Sequence, residues 1–257
     1  MEEPFRQHPL LQRGIELLGF DPFDRLSEGT RTHQPALFLC SIAQWASRDE
    51  HDEHDDPLAA AGHSLGEYAA LTAAGAIDFE DALRLVDARA RAMADAAERE
   101  DGGMVAMLKG ERDDVFEFAA ELGLSLANDN APGQLVLSGR SDAIAEAVER
   151  AGDIGCRARQ LDVGGAFHSP LMAPAADALK DALDATAIQE PAFPVLSNGS
   201  ARPFIDIRAE LAENLLKPVR WRETLFELQS MGATDFVECG PGSVLKGLVK
   251  RTLRATA

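Results

Sequence analysis

One serine in this chain stands where its hydroxyl could act as a nucleophile. Ser64 lies between two glycines in Gly62-His63-Ser64-Leu65-Gly66-Glu67-Tyr68. A small apolar run, 57–61, leads in, and a helix-like run, 67–74, leads out. Gly-x-Ser-x-Gly between a strand and a helix is the pattern of a nucleophile elbow. Its backbone bends so sharply that side chains two residues either side of the serine would collide. The helix that follows aims free N–H groups at the same spot. A serine hydroxyl also needs a base to take its proton. His8, His33, His51, His54 and His63 lie at or before the elbow, and His63 adjoins Ser64 but points elsewhere. His168 is the sole histidine after it, in the Gly-rich loop 164–170. It is either the base or a loop histidine capping a helix. A mid-chain histidine departs from the Ser, Asp/Glu, His order of α/β-hydrolases. A backbone carbonyl can orient the ring in place of a carboxylate.

A second candidate sits on a long helix. Asp78 reads as the N-cap of a helix from 79 to about 98. At helical spacing Ala82, Val86, Arg89 and Met93 share one face, while Arg84, Arg91 and Asp95 fall on a polar one. Arg89 is thus a guanidinium in an apolar stripe. A buried arginine needs an anion, whether a ligand or a structural partner, unless its head snorkels to the edge.

Before the elbow the pattern predicts polar helix over 1–31, a loop or short helix at 21–32, and a helix from 36 to about 48 with Pro35 at its first turn. The acidic loop 49–56 reads as solvated, with His51 and His54 in it rather than on a metal. Past Asp101-Gly102-Gly103 the rhythm changes to strand 104–108, helix 112–122, strand 124–127, turn 128–133, strand 134–138, helix 142–151 and strand 157–163. That is βαββαβ, the ferredoxin-like arrangement. A strand at 194–197, helices 171–186, 207–216 and 221–231, a strand at 235–239 and a basic helix 243–254 complete the reading. The expected fold is α/β: an α/β-hydrolase-like parallel-sheet domain (1–102 and 164–257) with a small inserted ferredoxin-like subdomain (103–163).

Composition narrows the partners. A formal charge of −18 over 257 residues argues against nucleic acid and anionic membranes. Any strongly anionic ligand or acidic partner would need a local basic patch. No run reaches membrane-span length, and the first residues lack the basic start and apolar core of a signal peptide. Cys40, Cys156 and Cys239 are far apart with no metal or redox spacing. A cytoplasmic setting without metal or bound cofactor is the expectation.

Taken together, these motifs resemble the malonyl-CoA:acyl carrier protein transacylase family, which includes the acyltransferase domains of polyketide synthases. The resemblance rests on 62–68, Ala74-Gly75-Ala76-Ile77-Asp78-Phe79, Arg84-Leu85-Val86, Asn130-Ala131-Pro132-Gly133-Gln134, Gly165-Ala166-Phe167-His168-Ser169-Pro170-Leu171-Met172, Pro218-Val219-Arg220-Trp221 and Glu238-Cys239-Gly240-Pro241-Gly242. It runs from about residue 10 to the end. It implies that Ser64 carries the malonyl group and that His168 is base, then acid. Arg89 would grip the malonyl carboxylate in a two-pronged pair. The Leu65 N–H would be an oxyanion donor. Phe167 would crowd branched acyl groups, and His63 would join the substrate-binding residues. Asn214 falls where the family uses a main-chain carbonyl to orient the histidine, commonly from Gln. The implied partners are malonyl-CoA and acyl carrier protein, in fatty acid or polyketide synthesis.

One segment departs from the family. Its members begin with a strand ending in Gly-Gln-Gly-Ser-Gln, whose loop supplies a second oxyanion N–H. This sequence carries no such segment, and losing one donor typically costs on the order of 100- to 1,000-fold in rate. That motivates an alternative expectation, a truncated and weakly active or inactive homologue acting as a binding protein. A hydrolase is a third, but it leaves Arg89 without a role.

Overall fold

The computed structural model describes residues 3–48 and 57–254. The acidic loop with His51 and His54 lies outside the described residues. In chain order the elements are α1 (Pro9–Leu18), α2 (Thr30–Ala46), β1 (Ala60–Ala61), α3 (Gly66–Ala73), α4 (Phe79–Arg99), β2 (Gly102–Leu108), α5 (Arg112–Glu121), β3 (Ser125–Ala131), β4 (Gln134–Arg140), α6 (Ser141–Arg150), β5 (Arg157–Gln160), α7 (Ala173–Asp184), β6 (Val195–Leu196), α8 (Ile207–Glu213), α9 (Trp221–Ser230) and α10 (Val244–Arg254). Among the described residues, no helix is long and apolar enough to cross a membrane.

Two sheets organise these elements. β1 pairs in parallel with β6, Ala60 opposite Val195 and Ala61 opposite Leu196. The other sheet is antiparallel, in the order β3-β4-β2-β5. That order, with α5 and α6 as crossovers, is the split-βαβ arrangement expected from the alternation. Strand periodicity divides its side chains. Val105, Met107, Leu135 and Leu137 pack with Phe118 and Ile144 of the covering helices. Met104, Ala106 and Val136 face the other way and meet Phe167. A larger cluster, including Leu11, Phe38, Leu39, Tyr68, Leu71, Leu83 and Leu179, joins α1–α4 to α7. A fourth, around Leu196, Val219, Trp221 and Leu248, joins the parallel pair to α9 and α10.

The structure corrects several local readings. α2 begins at Thr30, so Pro35 is inside the helix rather than at its start. Gly29, at φ 67°, turns the chain into the helix early. The run 128–133 is not a turn: β3 extends to Ala131, and only Pro132-Gly133 turn. Two register irregularities in β3 leave Ala127 and Asn130 out of the pairing with β4. Asp129 binds Arg112 Nε at 3.1 Å and Arg222 Nη2 at 2.9 Å. The expected strand at 235–239 is irregular chain. β-propensity becomes a strand only against a partner, and here the segment is held by a side chain instead. Gln44 Nε2 donates to the Glu238 carbonyl at 3.2 Å, and Gly240 N–H donates to Gln44 Oε1 at 2.8 Å. α8 stops at Glu213, short of the expected 216. The loop after His168 enters a single 3₁₀ turn, Pro170–Met172, before α7.

Candidate active site

The elbow is built as its sequence suggests, though on one side only. A Cβ on Gly62 would lie 1.9 Å from the carbonyl carbon of Gly66, so no side chain fits there. A Cβ on Gly66 would meet nothing within 4 Å. Ser64 itself sits at φ 52°, a left-handed conformation that L residues with a side chain adopt rarely and at a cost. The bend is held from outside by Asn198. Its Oδ1 accepts from the Ser64 N–H at 2.6 Å, and its Nδ2 donates to the Gly62 carbonyl at 2.6 Å. The first turn of α3 then closes with Gly66 N–H on His63 O and Glu67 N–H on Ser64 O. The Leu65 N–H donates to no protein group among the described residues. It is one of the orphan donors at a helix start.

His168 reaches Ser64 from the opposite wall. Its Nε2 is 2.8 Å from Ser64 Oγ. Its Nδ1 is 2.9 Å from the Asn214 carbonyl and 3.0 Å from the Lys217 carbonyl. Carbonyls only accept, so Nδ1 carries the proton and donates to them, leaving Nε2 free to accept from the serine hydroxyl. The ring is 5% exposed and sits at φ 56°. Its loop is fixed by Ser169, whose Oγ donates to Ala166 O at 2.6 Å and accepts from Leu171 N–H at 3.3 Å. Glycine allows the close approach: a Cβ on Gly165 would lie 2.5 Å from that of Ala97 on α4. Burial first, then the charge of Arg89, pushes the His168 pKa down to about 3.

Arg89 completes the cluster. It is 3% exposed and donates from Nη2 to Ser64 Oγ at 2.9 Å. Nη1 donates to Gln34 Oε1 on α2, and the guanidinium lies 5.7 Å from the centre of the Tyr68 ring. Its Nε is buried without a partner. Among the described residues, none of its hydrogen bonds goes to a carboxylate. Burial lowers its pKa, and the cation persists because arginine starts so high.

The other expected site residues surround this centre. His63 turns away from Ser64, with Nε2 2.8 Å from Asn130 Oδ1 and its ring 5.6 Å from that of Trp221. Phe167 is half-buried between the main helical cluster and the sheet face of β2 and β4. Asn214 supplies the carbonyl, and its side chain is not idle. Nδ2 donates to Glu67 Oε1 at 2.9 Å and to Ser197 Oγ at 3.0 Å. Sequence reasoning missed Gln34, Asn198 and Lys217. No motif marked them, because each acts through a contact 49 or more residues away in the chain.

Residues 13–257 match the family model described as the acyl transferase domain. The chain is 43% identical over 234 residues to the malonyl CoA-acyl carrier protein transacylase of Bacillus subtilis, covering 88% of this chain and 73% of that one. The structure of malonyl CoA-acyl carrier protein transacylase from Clostridium perfringens superposes with a TM-score of 0.91 at 31% identity, covering 98% and 84% of the two chains. A type II PKS acyl-carrier protein in complex with its malonyl-transacylase gives 0.90 at 34% identity, covering 95% and 84%.

Proposed function

The chain belongs to the acyl transferase domain family, and from that premise we propose that it moves a malonyl group from malonyl-CoA to the phosphopantetheine thiol of an acyl carrier protein. The group rests in between as an ester on Ser64. Ser64 Oγ attacks the thioester carbonyl as its proton passes to His168 Nε2, 2.8 Å away. The Leu65 N–H donates to the resulting oxyanion. The imidazolium returns its proton to the leaving CoA thiolate. A carrier thiol then gives its proton to Nε2 and attacks the ester, and Ser64 recovers the proton as it leaves. The Asn214 and Lys217 carbonyls hold the tautomer throughout and stabilise the transient imidazolium.

The observation that carries the malonyl assignment is Arg89. A guanidinium 3% exposed, 2.9 Å from the nucleophile and, among the described residues, with no carboxylate as hydrogen-bond partner is a cation waiting for an anion. An acyl group with a free carboxylate on its far end supplies one, bidentate and charge-assisted. A plain hydrolase gives this residue nothing to do. The same reading places Phe167 and His63 along the acyl and thiol path, treats 103–163 as the inserted subdomain, and needs no cofactor beyond the thioester itself. It also places the protein in the cytoplasm.

Transfer assays with malonyl-CoA and acetyl-CoA test it. Truncating one partner of a buried, charged hydrogen-bonded pair costs about 2–5 kcal/mol, at least roughly 30-fold. Arg89→Ala is expected to lower malonyl transfer by that much or more and to spare acetyl transfer. An equal fall in both contradicts the carboxylate assignment.

A further inference from the structure

Glu67 is the residue two places beyond the oxyanion donor, and it faces inward. It is 3% exposed, and one of its oxygens has two jobs. Oε1 accepts from the backbone N–H of Asn198 at 2.7 Å and from Asn214 Nδ2 at 2.9 Å. Those two asparagines hold the two halves of the reacting pair. Asn198 grips the elbow just before the nucleophile, at Gly62 O and Ser64 N–H. Asn214 presents the carbonyl that receives His168 Nδ1–H. Gly199 makes room for the arrangement, since a Cβ there would lie 2.4 Å from Asn214 Oδ1.

We infer that Glu67 is a positioning residue: one carboxyl oxygen sets the distance between the nucleophile and its base by tying Asn198 to Asn214. This rests on the acyl-transfer reading of Ser64 and His168. Glu67 touches neither reacting atom. It acts by length and by accepting, not by charge. Two hydrogen bonds converging on one atom fix the separation of their donors, and a buried amide left without its acceptor must move to find another. Reacting groups misplaced by about 1 Å lose on the order of 100-fold in rate.

Three variants separate length from charge. Glu67→Gln keeps the acceptor oxygen and loses the ionisable group. Glu67→Asp keeps the group and withdraws it by one methylene, a change small enough to leave the fold standing. Glu67→Leu removes the acceptor at similar volume. Two readouts apply: steady-state malonyl transfer, and the ¹⁵N-correlated Nδ1–H resonance of His168 in the resting protein, which requires no turnover. Glu67→Gln is expected to keep kcat within about threefold and to leave the resonance in place. Glu67→Asp is expected to lose roughly 30- to 100-fold in kcat with KM for malonyl-CoA unchanged, and to shift or broaden the resonance. Glu67→Leu should follow Glu67→Asp where it folds. The inference is overturned if Glu67→Asp matches the wild type in both readouts, or if Glu67→Gln is as damaged as Glu67→Asp. A wild-type protein that transfers no malonyl overturns the acyl-transfer reading instead, and the resonance still decides whether Glu67 positions the ring.

Discussion

At the scale of single residues, the site depends on keeping one imidazole neutral. His168 has a pKa near 3 in the folded protein because it is buried and faces Arg89, against an ordinary value of 6.5. Above pH 6.5 the ring is neutral whether folded or unfolded, and this group adds nothing to the pH dependence of stability. As pH falls from 6.5 towards 3, the unfolded chain takes up a proton that the folded one refuses, and stability is lost through that window. The acid limb of kcat/KM should therefore lie well below 6.5. Arg89→Met should move it upward by removing the largest charge acting on the ring. A pH titration of both proteins checks this, and an acid limb at 6.5 in the wild type contradicts it. Ser64, His168 and Arg89 were each legible in the sequence because a residue type stood out against its surroundings: a serine between glycines, a lone later histidine, a cation in an apolar stripe. Asn198 and Gln34 were not, because an amide side chain in a loop or on a helix has no pattern until its partner is known.

At the scale of elements, the elbow is a strand of two residues, a bend and a helix of eight. Its two glycines are not equivalent. Gly62→Ala drives a methyl group to within 1.9 Å of the backbone carbonyl carbon of Gly66, which cannot step aside without opening the turn. Overpacking of even ordinary core sites costs about 1–3 kcal/mol, and a clash with backbone costs at least that. Gly66→Ala meets open space and replaces a helical glycine with a better helix former. Thermal unfolding of the two variants should show Gly62→Ala destabilised and inactive, with Gly66→Ala near the wild type in stability. Equal losses would mean that the bend is held differently. The helices were readable from periodicity where one face is buried, as in α4, whose cap at Asp78 and apolar stripe are both found. Strands were readable where they have neighbours. The segment 235–239 carries Phe236 and Val237, which favour a strand, but joins no ladder among the described residues, and β3 runs on through asparagines that propensity assigns to a turn.

At the scale of the whole molecule, the antiparallel sheet meets the rest of the chain through a polar seam. β3 bonds to the segment before α9 at Asp129 N–H to Val219 O, 2.9 Å, and Val219 N–H to Ala127 O, 2.8 Å. The Asp129 carboxylate, 2% exposed, receives Arg112 from α5 and Arg222 from α9. Nothing in the composition singles this aspartate out among the 43 acidic residues. Its value comes from where two elements distant in sequence converge. Removing one member of a buried ion cluster strands the others, typically at 3–5 kcal/mol. Arg112 and Arg222 are partly exposed, so the lower end of that range is expected for Asp129→Ala. Denaturant unfolding checks it, and a loss below about 1 kcal/mol would show that the seam is not held here. The seam also places Asn130 against His63, one residue from the nucleophile. The account as a whole requires that the acyl group pause on the chain. Incubation with malonyl-CoA in the absence of any acceptor, followed by rapid acid quench and peptide mapping by mass spectrometry, reads this directly. The expected result is a malonyl ester on the peptide containing Ser64 and none in Ser64→Ala. An unmodified wild-type peptide, or equal modification of the alanine variant, would contradict it.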